Sequence, residues 1–84
     1  MPFNSNKMSI NFKKGLELFK NKKFAEAEKL FKNIFKYKPD DVLINFFLGA
    51  AYFETKKFYL STERLKKVIS IDYNHRDANF LLGM

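Results

Sequence analysis

Apolar residues recur at three-and-four spacing through most of this chain, and the pattern is clearest where Phe24, Ala27, Leu30, Phe31, Ile34 and Phe35 form one stripe. That period is one face of an α-helix. The same spacing predicts four helices, over about Met8 to Asn21, Phe24 to Tyr37, Val42 to Thr55 and Phe58 to Ile71. A fifth begins at about Arg76. No stretch alternates apolar and polar residues as a half-buried strand would. The segments "NKK" and "TKK" between the paired patterns are short and polar, so each pair folds back as antiparallel neighbours. Pro39 ends the second pattern, because it cannot continue a helix and biases Lys38 away from helical angles. Asp40 or Asp41 then caps the third helix, where a carboxylate accepts orphan N–H groups. Asp72 and Asn74 mark a second break of the same kind.

The pattern is an internal repeat. The three glycines, Gly15, Gly49 and Gly83, are each 34 residues apart. The same shift lays Ile10, Asn11 and Phe12 on Ile44, Asn45 and Phe46. It lays Phe19 on Phe53, Lys22-Lys23-Phe24 on Lys56-Lys57-Phe58, and Lys32 on Lys66. Asn79-Phe80 and Leu82-Gly83 start a third copy. The predicted organisation is a flexible tail over 1–7, repeat one over 8–41, repeat two over 42–75, and the first helix of a truncated third repeat over 76–84.

A glycine inside "NFFLGAAYF" costs a helix about 1 kcal/mol relative to alanine. The expected reason is a close helix crossing. Gly15 and Gly49 lie on the face that meets the partner helix, with Ala27 and Ser61 as the opposing small residues. Leu48, Tyr52 and Leu82 flank the contact.

These residues carry a resemblance. Leu48-Gly49-x-x-Tyr52 followed by Ser61-x-x-x-Leu65, and Gly15-x-x-Leu18 followed by Ala27-x-x-x-Phe31 and Pro39, resemble the tetratricopeptide repeat (TPR) family. Leu82-Gly83 continues the series. The resemblance implies an all-α fold of antiparallel helix-turn-helix repeats stacked as a short TPR-like solenoid, with two full repeats and the start of a third. The chain departs from the family at several slots. Asn11, Asn45 and Asn79 stand where Trp is usual, Lys14 where Leu is usual, and Tyr73 where Pro is usual. Ile34 and Val68 replace a small residue. These departures make the first repeat an expected capping unit.

The resemblance also implies a function, which is to bind another protein or a peptide on the concave surface lined by the first helices. The corresponding residues are Phe12, Leu16, Phe19, Leu43, Phe46, Ala50, Phe53 and Phe80. Phe12, Leu16 and Phe19 form a second apolar stripe, distinct from the one with Gly15. Three readings of it stay open. The aromatics Phe12, Phe46 and Phe80 form a core ladder, or they line a groove, or they pair two copies as a homo-oligomer, since large exposed apolar patches seldom stay solvated. Some family members grip acidic tails with Lys, Arg and Asn. The matching slots here are Phe12, Leu16, Phe47, Asp77 and Leu81, so no such clamp is expected.

Composition narrows the classes further. Eighty-four residues make one small domain, and such a chain buries only about 60% of its unfolded surface. It has no cysteine and one histidine, His75, which excludes disulfides and a Cys- or His-rich metal site. His75 falls in a predicted turn with no nucleophile motif, and the glycines are isolated rather than clustered as a phosphate loop. The expectation is a non-enzyme without cofactor or metal. A module cut from a larger enzyme is the alternative from another class. The N-terminus carries no signal peptide, and the longest apolar run is too short to cross a bilayer. No membrane partner and a cytoplasmic location are therefore expected. The net charge of +7 comes from lysines concentrated in the second helices and turns. Interleaved Glu26, Glu28 and Glu63, with an expected Glu28–Lys32 helical pair, favour a solvated face over nucleic acid.

Overall fold

The computed structural model describes residues 5–71. Four helices follow one another: α1 (Ser5–Lys20), α2 (Phe24–Phe35), α3 (Val42–Glu54) and α4 (Phe58–Ile71). There is no strand among the described residues. The architecture is all-helical, with each helix packed chiefly on the next. Helix α1 starts earlier than the apolar pattern predicts, taking in Ser5, Asn6 and Lys7 of the expected tail. Their polar side chains give no periodicity to read, yet a helix nucleus behind them extends at little cost. Residues 76–84, with Phe80, Leu82 and Gly83, lie outside the described residues.

Helix α3 has apolar residues on every side because it is packed on two sides, against α2 and against α4. A helix that is hydrophobic all round belongs in an interior. The main core joins Ala27, Phe31 and Ile34 of α2 to Ile44, Leu48, Ala51 and Tyr52 of α3. A smaller core holds Leu65 and Val68 of α4, with Val42 and Phe46 of α3 packed against it.

Both glycines lie at helix crossings, and the side chains nearest a Cβ there are large. A Cβ on Gly15 would stand 2.6 Å from Cε1 of Phe31, and one on Gly49 would stand 3.0 Å from Cδ2 of Leu65. Phe31 and Leu65 are themselves repeat equivalents, one helical turn beyond Ala27 and Ser61. Each glycine therefore makes room for a large buried side chain, rather than for a small one opposite. The small residues sit alongside: Ala27 is fully buried, and the Ser61 hydroxyl donates to the Gly49 carbonyl at 2.8 Å.

Both hairpin turns share one geometry. Lys22 and Lys56 occupy the left-handed region, at φ of 63° and 65°. Lys23 N–H donates to the Leu18 carbonyl and Lys22 N–H to that of Phe19. Lys57 and Lys56 repeat this on Tyr52 and Phe53. The paired bonds close each helix as a Schellman motif, a position usually given to glycine. A side chain there costs roughly 1 kcal/mol.

The link between hairpins is also defined by its bonds. The N–H groups of Tyr37 and Lys38 both converge on the Ile34 carbonyl, ending α2 before Pro39. Of the two candidate caps, Asp41 serves, accepting from the Ile44 N–H at 3.0 Å. Asp40 instead pairs with Lys67 at 2.9 Å on the surface.

The two glycines should respond differently to one added methyl. The ring of Phe31 is fully buried and cannot swing away, whereas Leu65 must yield by only a few tenths of an ångström. Gly15→Ala should lose about 1 to 2 kcal/mol in urea unfolding, the overpacking outweighing the helix propensity gained. Gly49→Ala should stay within about 1 kcal/mol of the parent. A Gly15→Ala variant as stable as the parent would refute the crossing geometry.

Candidate binding surface

The aromatic residues of the first helices meet through a residue that the stripe did not single out. Phe47 lies 5.7 Å from Phe12, 6.4 Å from Phe19, 6.0 Å from Phe31 and 5.1 Å from Phe46, between ring centroids. Most of these contacts are edge-on, the arrangement favoured by ring quadrupoles. Phe12, Leu16 and Phe19 are half-buried against the main core. Phe46 is half-buried against the smaller one. Phe53 packs edge-on against Phe58 at 5.5 Å, and Ala50 is half-buried. Leu43 is the residue of the lining that stands clear, at 53% exposed. Of the repeat-packing residues, Gly15, Ala27, Leu48, Gly49, Tyr52 and Ser61 are all buried.

Phe12 and Leu43 come together at a cleft of about 200 Å³. Its walls are Met8, Ser9 and Phe12 from α1, Ile34 from α2, and Leu43 and Ile44 from α3. Lys38 and Asp41 of the inter-hairpin link stand at its edge. An apolar floor with a few polar groups at the rim suits an apolar side chain presented by a polar backbone. Leu16, Phe19, Phe46 and Phe53 do not line this cleft.

No protein-family model matches the chain, and neither a curated protein nor a solved structure matches it significantly. Its chemistry therefore has to be read from its own side chains. Among the described residues there is no cluster of His, Cys, Asp and Glu that could hold a metal ion. No helix there is long and apolar enough to cross a membrane.

Two buried polar groups organise the surface from below, and the apolar pattern revealed neither. Asn45 is fully buried. Its amide donates to the carbonyls of Pro39 and Asp41, both at 2.8 Å, and its oxygen accepts from Arg64 Nη1 at 2.9 Å. The Arg64 guanidinium then lies 4.5 Å from the centre of the Phe35 ring, a cation–π contact. Link, α3 and α4 thus meet at Asn45, and Arg64 carries the connection on to α2. The recurrence of asparagine at positions 11, 45 and 79 was the available signal.

The second group is Glu28, only 6% exposed. It does not form the expected helical pair with Lys32. Its carboxylate turns inward across the repeat, accepting from Lys57 Nζ at 2.8 Å, with the Thr55 hydroxyl 3.2 Å from its other oxygen and shared with the Ala51 and Tyr52 carbonyls at 3.0 and 3.1 Å. Lys57 and Thr55 belong to the α3–α4 turn, so the pair ties α2 to that turn. A buried carboxylate needs such company, because desolvation without a partner is costly. Burial, with Glu28 adding to it, raises the Tyr52 phenol above its ordinary 10.0. The hydrogen bond to Glu28 raises the Lys57 ammonium above its ordinary 10.5.

Tyr52 and Lys57 both hold their protons to higher pH in the folded chain than in the unfolded one. Their contribution is complete below the unfolded values and is lost as pH rises through the folded ones, because the folded state there binds more protons. The urea midpoint should be level between about pH 7 and 9, then fall above about pH 10. Tyr52→Phe should remove part of that alkaline fall. A midpoint unchanged up to about pH 11 would contradict the arrangement.

Proposed function

We propose that the chain is a TPR-like helical-repeat module that binds another protein, and that the cleft walled by Met8, Phe12, Ile34, Leu43 and Ile44 receives an apolar side chain of that partner. Binding works by shape and apolar burial, with no bond made or broken. The observation that carries the reading is the duplication of geometry at the repeat spacing. Gly15 faces Phe31 as Gly49 faces Leu65, and Lys22 and Lys56 turn the chain with the same backbone angle and the same hydrogen bonds. Repeats of this kind offer a continuous surface rather than a catalytic pocket. Leu43 contributes an exposed apolar wall without being needed by either core.

A second reading, self-association, draws on α4. Phe58 is 54% and Tyr59 76% exposed, with Leu60 and Ile71 also open to solvent. Light scattering after size exclusion separates the two, since a monomer leaves only the partner reading.

Panning a displayed peptide library against the immobilised chain tests the cleft. Enriched peptides should share an apolar anchor, and Leu43→Glu should weaken them at least about tenfold, or 1.4 kcal/mol. The thermal melt should stay close to the parent, because Leu43 is on the surface. Peptides that bind Leu43→Glu as well as the parent would place recognition elsewhere.

A further inference from the structure

A second cleft lies on another part of the surface, between the outer side of α2 and the α3–α4 turn. It encloses about 400 Å³ and is lined by Ala25, Glu28, Lys29, Lys32, Thr55 and Lys57. Three cations face it against one carboxylate, and that carboxylate is already engaged. Glu28 accepts from Lys57 through one oxygen, and the Thr55 hydroxyl lies 3.2 Å from the other. An ammonium has three N–H donors, so Lys57 keeps two after meeting Glu28, with the Tyr52 ring centre 6.0 Å from its nitrogen. Lys29 and Lys32 are exposed, and neither has a carboxylate partner among the described residues. The pairing of Glu28 with Lys57 rather than Lys32 is what leaves Lys32 uncommitted. Ala25 lies one helical turn before Lys29, and its single methyl keeps the recess open where a longer side chain would close it.

From this we infer a binding site for an acidic protein segment, one that presents two or three neighbouring Asp or Glu side chains to Lys29, Lys32 and Lys57. The buried Glu28 orients Lys57 before any ligand arrives. Such preorganisation reduces the ordering cost of binding. The excess of positive charge selects an anionic partner and speeds its encounter. Nucleic acid fits less well. None of the six lining residues is aromatic, whereas single strands are held largely by stacking on aromatic rings. The site shares no residue with the apolar cleft, so it stands or falls independently of that reading.

The test is fluorescence anisotropy at about 0.15 M salt, with a labelled hexaglutamate peptide as probe. Hexaglutamine and a labelled uridine hexanucleotide serve as comparisons. The parent should bind hexaglutamate, and Lys29→Glu with Lys32→Glu should weaken it at least about tenfold. Lys29→Gln with Lys32→Gln should act in the same direction by less. Lys13→Glu with Lys14→Glu makes the same charge change at exposed positions of α1, and should cost less than about threefold. The α2 variants should keep the parent's helical signal, because the replaced side chains are exposed. Equal losses from the α1 and α2 variants would reduce the site to diffuse attraction and overturn it. So would a parent that ignores hexaglutamate, or one that prefers the hexanucleotide and loses it with the same α2 lysines.

Discussion

The side chain that joins the link, α3 and α4 is Asn45. It is fully buried, and both ends of its amide are hydrogen-bonded, one to the link and one to α4. Two bonds go back to the link that carries the chain from α2 to α3, and one goes forward to α4. Burying an amide is unfavourable unless it is fully bonded, so the link and α4 are held in place against α3. Arg64 extends the constraint by laying its guanidinium on Phe35. Apolar packing alone would tolerate several helix angles, and the polar contacts choose among them.

The glycines and the Glu28 pair complete what Asn45 begins. Gly15 and Gly49 lower the backbone at the crossings, which lets Phe31 and Leu65 fill the space between paired helices. Glu28 ties α2 to the α3–α4 turn at the opposite end of α3 from Asn45. The second hairpin is thus joined to the first by Glu28 and Lys57 at one end and by Arg64 on Phe35 at the other, with the main core between them. No side-chain nitrogen or oxygen among the described residues is buried without a partner. Two clefts open on this fold, one apolar and one basic. Their difference in character follows from their linings, Met8, Phe12, Ile34, Leu43 and Ile44 in one case and Lys29, Lys32 and Lys57 in the other.

The helices and their pairing were legible because they rest on periodicity, on the two "KK" turns and on Pro39. Each of these acts locally, and each is visible in a short window. The role of glycine was legible as a close crossing, but not which side chain came close. The step from Ser61 to Leu65 is one helical turn, and helix phase cannot be read from sequence to that accuracy. Glu28 shows the stronger limit. Its spacing to Lys32 suits an exposed helical pair, yet a lysine 29 positions along the chain takes it instead. Such pairings depend on tertiary contacts that no local rule encodes. Phe47 was missed as the centre of the aromatic contacts for the same reason. On α3 all sides are apolar, so the pattern does not say which face meets α1.

If Asn45 joins the link, α3 and α4, its loss should cost far more than that of its repeat counterpart. Asn11 is half-buried, and it makes no side-chain hydrogen bond among the described residues. The decisive measurement is the free energy of unfolding in urea for Asn45→Leu beside Asn11→Leu. Asn45→Leu should lose about 1 to 3 kcal/mol, because it takes the side-chain amide away from the Pro39 carbonyl and from the Arg64 guanidinium. Asn11→Leu should change stability by less than about 1 kcal/mol. Equal losses at the two positions, or an Asn45→Leu chain as stable as the parent, would contradict the account.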